Sequence, residues 1–161
     1  MTLLIKVSIS EQTLRVLDDD NNLVRSYSIA TAKNGPGEIK GSEQTPRGWH
    51  KIRAKIGHSY VAGAVFVGRR PTGEVFVPGM REQFPRRDWI LTRIMWLSGL
   101  EPGRNRLGQV DTMRRYIYIH GCPDEDAMGV PSSHGCVKMR NSDVIELFDL
   151  VPVGTRVLIE E

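Results

Sequence analysis

Leu3, Ile5, Val7 and Ile9 alternate with Leu4, Lys6 and Ser8, a period of two that predicts a β-strand at the start of the sequence. A second strand is predicted over 13–17. It runs into Asp18-Asp19-Asp20-Asn21-Asn22, a turn-forming cluster, and 23–29 returns as a third strand. The N-terminal part therefore reads as a β-meander. Residues 33–48 carry the turn signals Gly35-Pro36-Gly37 and Thr45-Pro46-Arg47-Gly48 and read as loop. Further short strands are expected over 49–56, 62–67 and 75–77, the last two joined around Pro71-Thr72-Gly73. Over 89–97 the pairs Ile90/Ile94 and Leu91/Met95 fit a helix, but the Trp, Ile and Thr content favours a strand. Residues 100–108 read as loop and 116–119 as a buried strand. Near the end, Asn141 or Ser142 can cap a helix with Asp143 in its first turn. Val144, Ile145, Phe148 and Val151 recur at helical spacing until Pro152 stops them, and Val153-Gly154-Thr155 turns into a last strand over 156–159. Many strands and one helix describe a mainly-β domain.

The 161 residues suit a single domain over 1–161. Apolar residues make up 40% and charged residues 25%, a globular balance. No apolar run approaches the roughly 18 residues of a membrane-spanning helix, so no transmembrane segment is expected. The opening Met1-Thr2-Leu3-Leu4-Ile5-Lys6-Val7 has neither basic n-region nor long apolar h-region. The expected location is the cytoplasm, or the periplasm if the natural chain carries a leader missing here. Two cysteines are too few for a disulfide scaffold, which agrees with a reducing compartment.

Net charge is only +3, but it is unevenly spread. Residues 68–115 carry ten arginines against Glu74, Glu82, Asp88, Glu101 and Asp111, a balance of +5 that leaves the rest of the chain at −2. Such a stretch attracts anions. Nucleic acid is set aside as a partner, because no recognition signature or interleaved aromatic pattern accompanies the arginines. A carboxylate-bearing small substrate fits better, with 68–115 as an inserted, lid-like segment. The sequence is silent on oligomeric state.

One stretch concentrates chemistry. His120-Gly121 ends the apolar strand 116–119, and sixteen positions on comes Cys136 within Ser132-Ser133-His134-Gly135-Cys136-Val137-Lys138-Met139. A thiol reacts as its thiolate and needs a neighbouring base or positive charge. His120 on a rigid strand and Cys136 on a loop before a helix can meet in space. Gly135 lets the backbone turn sharply ahead of the sulfur and aim N–H groups at a developing oxyanion.

The spacing His-Gly…Ser-His-Gly-Cys-Val-(basic)-Met resembles the signature of YkuD-type L,D-transpeptidase catalytic domains, and the resemblance covers nearly the whole chain. Thr45-Pro46-Arg47-Gly48-Trp49 looks like that family's Thr-Pro-x-Gly turn, and Val153-Gly154-Thr155-Arg156-Val157 like its closing strand. The resemblance implies a β-sandwich of mixed sheets and a cysteine acyltransferase acting on a peptidoglycan stem peptide or muropeptide, without cofactor. It implies that Cys136 attacks the carbonyl joining a diamino acid to terminal D-Ala, leaving a thioester. His120 would be base and then acid, oriented by a backbone carbonyl at or beside Gly121. Gly135 and Cys136 N–H groups would form the oxyanion hole, His134 would line the pocket, and Ser133 would touch substrate or only hold the loop. Two positions depart from the family pattern: Lys138 stands where Arg is usual, losing the planar fork, and Cys122 stands where Thr or Ser is common.

Water as acceptor gives L,D-carboxypeptidase action, as in murein recycling, which is the expected reaction. An amine as acceptor gives L,D-transpeptidation or D-amino-acid exchange, and a silent muropeptide- or metal-binding module is the alternative of another class. Cys122 fits a small buried hydrophobe. A Cys122–Cys136 disulfide and a zinc site from His120, Cys122, His134 and Cys136 stay open beside it, though no metal is expected. Arg104 and Arg106 are candidates for substrate carboxylates or for plain solvated charge, Tyr116, Tyr118 and Trp96 for core or pocket wall, and His50 and His58 read as structural or surface residues.

Overall fold

The computed structural model describes residues 2–161. In chain order its elements are β1 Leu4–Ser8, β2 Thr13–Leu17, β3 Leu23–Ala30, β4 Gly48–Ile56, β5 Ala64–Val67, β6 Arg70–Val75, α1 Met80–Gln83, β7 Ile90–Gly99, β8 Tyr118–Gly121, β9 Val137–Met139, α2 Asn141–Leu150 and β10 Arg156–Glu160. The strands form one sheet in the order β4-β10-β1-β2-β3-β9-β8-β7-β5-β6, and a further β4–β7 pairing closes it on itself. β1 lies parallel to β10 and β8 parallel to β9; the other pairs are antiparallel. The expected mainly-β fold thus takes the form of a closed mixed sheet. No helix among the described residues is long and apolar enough to cross a membrane.

The period-two pattern of the strands builds the core. Ile5 and Val7, Leu14 and Val16, Ile119, Val137, Met139, Val157 and Ile159 all turn inward, where Val144, Leu147 and Phe148 of α2 meet them. Each fully buried Leu or Ile contributes roughly 2 kcal/mol relative to exposure.

The departures from the sequence reading have physical causes. The turn before β6 is at Gly68 and Arg69, with φ of 55° and 64°, a two-residue hairpin turn with both residues left-handed. Pro71 to Gly73 therefore belong to β6, the free edge where a proline is tolerated. Residues 76 and 77, expected as strand, follow it; Phe76 instead packs edge-on against Trp89 at 4.9 Å. β8 starts two residues later than expected, because Tyr116 is left-handed at φ 57°. The three-residue strand β9 gives no periodic signal at all. Arg140 rather than Asn141 or Ser142 is the N-cap of α2. Asn141 lies inside the helix and turns its side chain to Thr92 and Asp124.

The basic stretch 68–115 is not a lid as a whole. Its residues Ile90–Gly99 are β7, a central strand hydrogen-bonded to β4, β5 and β8. What lies outside the closed sheet is the β5–β6 hairpin with α1, and the loop 100–117. That loop is anchored from within. Buried Asn105 donates from Nδ2 to Arg47 O and Trp49 O, each at 3.0 Å, and accepts Glu101 N–H at 3.0 Å. Gly99 permits this contact, since a Cβ there would strike the Asn105 backbone. Buried His50 donates from Nδ1 to Gly48 O and accepts the Thr112 hydroxyl at Nε2, both at 3.0 Å. Burial pushes its imidazole down to about 4, so it is neutral and structural, as expected. His58 stacks on Phe148. Asn105→Ala leaves the Arg47 carbonyl and the Glu101 N–H without partners, while Trp49 O keeps the Leu100 N–H, and we expect a loss of about 2 kcal/mol in urea unfolding with an unchanged m-value.

Candidate active site

The parallel register of β8 and β9 places Ile119 beside Val137 and His120 beside Lys138. Paired residues of a ladder share a face, and alternate residues change face. Ile119, Val137 and Met139 enter the core, so Tyr118, His120 and Lys138 point the other way. Cys136, one residue before β9, extends the same register opposite Tyr118 and packs with it outside that core. Tyr118 N–H donates to Cys136 Sγ at 3.3 Å, and the thiol points to Tyr116 O at 3.5 Å. His120 lies two residues along the same face, fully buried. Its Nδ1–H donates to Gly121 O at 2.6 Å, which makes Nε2 the unprotonated nitrogen of the neutral ring. Nε2 is buried and has no hydrogen-bond partner among the described residues. Gly121 is required here, because a Cβ would meet Asn141 Oδ1 and, at 2.7 Å, Leu91 O.

The segment before the thiol is locked by two hydroxyls that make four hydrogen bonds. Thr45, from the turn at 45–48, donates to Gly135 O at 2.9 Å and accepts Ala32 N–H at 2.9 Å. Ser133 donates to Cys136 O at 2.5 Å and accepts Gly135 N–H at 3.2 Å. Gly135 sits at φ 131°, and a Cβ there would lie 2.9 Å from Ile117 Cδ1. The Gly135 N–H expected in an oxyanion hole is thus committed to Ser133 inside the loop, and the N–H aimed at the sulfur belongs to Tyr118. Ser133 is a clamp on the loop, spending both its donor and its acceptor there.

Cys136 is half-buried at the wall of a cavity of about 510 Å³, lined also by Arg69, Asp88, Tyr116, Tyr118 and His134. Arg69, at the hairpin tip, donates to Tyr118 Oη at 2.9 Å and lies over the Trp96 and Tyr116 rings at 4.5 and 5.0 Å. His134 is exposed at the mouth, Nδ1 3.7 Å from Asp88 Oδ1. Arg115, half-buried, donates to Gln44 O at 2.6 Å and to Gly37 O at 3.3 Å. Burial pushes the Cys136 thiol up to about 12, against the Tyr118 N–H bond that favours the anion. Burial also holds His120 below the ordinary imidazole range, outweighing Asp88 and the Gly121 carbonyl. The resting pair is therefore a neutral thiol and a neutral imidazole, not the sulfur anion that the motif alone suggests.

The remaining candidates are placed as follows. Lys138 is almost buried, its Nζ 2.9 Å from Asp126 Oδ2, and Arg81 of α1 holds the other oxygen of that carboxylate at 2.5 Å. The pair answers the cation's charge and ties β9 to α1 through Asp126, and Lys138 also lines a small cleft beside His134. Arg104 pairs with Glu101 away from the cavity. Arg106 lines a neighbouring groove that shares Arg69 and Tyr116 with the cavity. Cys122 is buried, donating to Met139 O at 3.3 Å, and burial pushes it up to about 12. It stands four residues beyond Tyr118, the position opposite Cys136, which is roughly 13 Å along a strand. A disulfide tolerates about 7 Å between Cα atoms, so the two cysteines cannot pair. Among the described residues no group of three His, Cys, Asp or Glu side chains is gathered closely enough to hold a metal ion. Tyr116 lines the cavity, one of the two places the sequence offered for it, whereas Asp88, Arg69 and Arg115 were legible only as members of the charged stretch 68–115. Gly68-Arg69 as a hairpin turn is a signal that could have found Arg69; nothing local marks Asp88.

Comparison with known proteins agrees with this geometry. The family model "YkuD: L,D-transpeptidase catalytic domain" matches residues 3–159. YqjB of Bacillus subtilis is 30% identical over 142 residues, covering 88% of this chain and 62% of that protein. YkuD of Bacillus licheniformis is 30% identical over 156 residues, covering 96% of this chain and 64% of that protein. Both carry L,D-transpeptidase in their names, and the chain spans less than two thirds of either. In fold it is similar to L,D-transpeptidase 3 from Mycobacterium tuberculosis in complex with a faropenem-derived adduct, with a TM-score of 0.60 at 16% identity over 99% of this chain and 60% of that one. An L,D-transpeptidase from Mycobacterium smegmatis gives 0.57 at 17% identity over 99% and 58%. With the family model spanning nearly every residue, and Cys136 and His120 on one face of its parallel strand pair, the chain belongs to the YkuD family of L,D-transpeptidase catalytic domains.

Proposed function

We propose that the chain is a cysteine acyltransferase for peptidoglycan stem peptides that uses water as its acceptor, an L,D-carboxypeptidase. The observation that carries this is the half-buried Cys136 thiol, backed by the Tyr118 N–H, on the same sheet face as the unpartnered Nε2 of His120. The carbonyl carbon joining a diamino acid to terminal D-Ala is attacked by Sγ while the thiol proton passes to Nε2. The C–N bond then breaks, Nε2–H protonates the departing amine, and D-Ala leaves a thioester on Cys136. Water, deprotonated by the same nitrogen, releases the tripeptide. The Gly121 carbonyl stabilises the imidazolium formed in between, at 2.6 Å from Nδ1. On the side of Asp88 and His134 the cavity adjoins a smaller cleft of about 190 Å³ that shares those two residues with it, and we assign the departing D-Ala and the incoming water to that cleft. The names of the relatives favour the second reading, transfer to an amine.

Incubation with a disaccharide tetrapeptide is expected to release D-Ala and tripeptide by mass spectrometry. Cys136→Ala should abolish this, and His120→Gln should lower kcat/KM by about 10³-fold, the worth of a general base. No release by wild-type protein would leave a binding module; exchange of added D-amino acid in preference to hydrolysis would make the acceptor an amine.

The neutral resting pair predicts the pH profile. Deprotonated His120 is the active form and its pKa lies below 6.5, so kcat/KM should rise through an acid limb below pH 6.5 and stay level above it. Alkylation of Cys136 by iodoacetamide should climb towards the thiol's value of about 12. A plateau of fast alkylation between pH 4 and 7 would mean a resting thiolate–imidazolium pair and sink the neutral one.

A further inference from the structure

The groove beside the catalytic cavity is as large as the cavity itself, about 510 Å³, and its charge is one-sided. Three elements send cations into it: Lys51 and Arg53 from the outer face of β4, Arg69 from the hairpin tip, and Arg106 and Arg114 from the loop 100–117. Among the described residues none of the five has a carboxylate within salt-bridge distance. The single acid in the lining, Asp111, accepts Leu107 N–H at 2.7 Å and Arg114 N–H at 2.9 Å. Burial works against its charge, but those bonds and the Arg114 cation hold its carboxyl below the ordinary range. One carboxylate among five cations leaves the groove net positive, and like charges gathered in this way repel one another.

The groove is rigid as well as basic. Its loop is tied down by Asn105 and by the His50–Thr112 bond. Leu107 and Tyr116 are held left-handed at φ 72° and 57° with more than half of each exposed, an unfavourable backbone state for bulky residues. With Trp96 and Met113 they give the groove an apolar floor beneath the cationic rim. Arg69 and Tyr116 belong to both the groove and the Cys136 cavity, so one peptide can lie in both.

We infer that this groove holds the free carboxylates of the acyl donor's own stem, on the N-terminal side of the bond attacked at Cys136. The inference rests on the acyl-transfer reading above. Guanidinium groups meet carboxylates through paired hydrogen bonds, and an apolar floor accepts the aliphatic links between them. The substrate class is therefore a stem with a free α-carboxylate on its D-glutamate, in preference to the same stem amidated there.

The test uses full-length Cys136→Ala protein, so that binding is read without turnover, and follows tryptophan fluorescence, Trp96 being part of the floor. L-Ala-γ-D-Glu-diamino acid is expected to bind about tenfold tighter than its D-isoglutamine counterpart, two exposed charge pairs being worth about that factor. Adding Arg106→Gln and Arg114→Gln should erase the difference, with circular dichroism confirming the fold, and Trp96→Phe should remove the signal. Equal affinity for both peptides, or inorganic tripolyphosphate binding as tightly as the acid peptide, would overturn the assignment. Turnover by otherwise wild-type protein that ignores both amidation and the two arginines would overturn the groove and spare Cys136. Discriminating binding without any turnover would spare the groove and remove the acyl-transfer reading.

Discussion

The parallel pairing of β8 with β9 is the constraint on which the site depends. A parallel ladder puts neighbours of equal register on the same face, so two strands of four and three residues decide where the sulfur and the imidazole stand. One face, through Ile119, Val137 and Met139, is welded into the core; the other carries Tyr118, His120 and Lys138. Neither side chain can drift without pulling apolar residues out of the closed sheet. The second strand of the pair is kept in place by bonds from elsewhere, β3 on its far side and Thr45 on the loop that leads into it.

The electrostatics of the site follow from its depth. Removing water disfavours the ion of either group, raising the thiol and lowering the imidazole, so both rest uncharged. In the acyl transfer proposed above, charge would form only as the proton moves, beside groups already oriented for it: the Tyr118 N–H at the sulfur and the Gly121 carbonyl at Nδ1. Lys138, paired with His120 across the ladder, has its charge answered by Asp126, which in turn ties α1 to the segment ahead of the Cys136 loop through Arg81. The departure of Lys138 from the family's arginine thus has a use in which a point charge suffices and a planar fork is not needed.

Arginine clustering between 68 and 115 has two structural outcomes rather than one. Arg81 and Arg87 are satisfied locally by Asp126 and Glu74, and Arg93 by the Tyr60 and Thr92 carbonyls. Arg69, Arg106 and Arg114, joined by Lys51 and Arg53 from an unrelated strand, converge on one groove and leave it net positive. The same composition therefore yields cross-links in one place and an anion-seeking surface in another.

Alternation in 3–9, the Pro152 stop and the Ser-His-Gly-Cys run determined the strand content and the single long helix and singled out Cys136 and His120 as candidates, because each depends on residues close together in the chain. Even the backbone carbonyl at Gly121 was legible, being a neighbour of the histidine it holds. The tertiary structure alone decided the rest. It separated Cys122 from Cys136 by four ladder positions, turned Gly135 N–H inward onto Ser133, buried the charge of Lys138 against Asp126, and drew Asp88 and Arg69 to the thiol. These outcomes depend on register, on which hydrogen-bond partner lies nearest, and on how much water is excluded. Such quantities exist only once strands distant in sequence have paired.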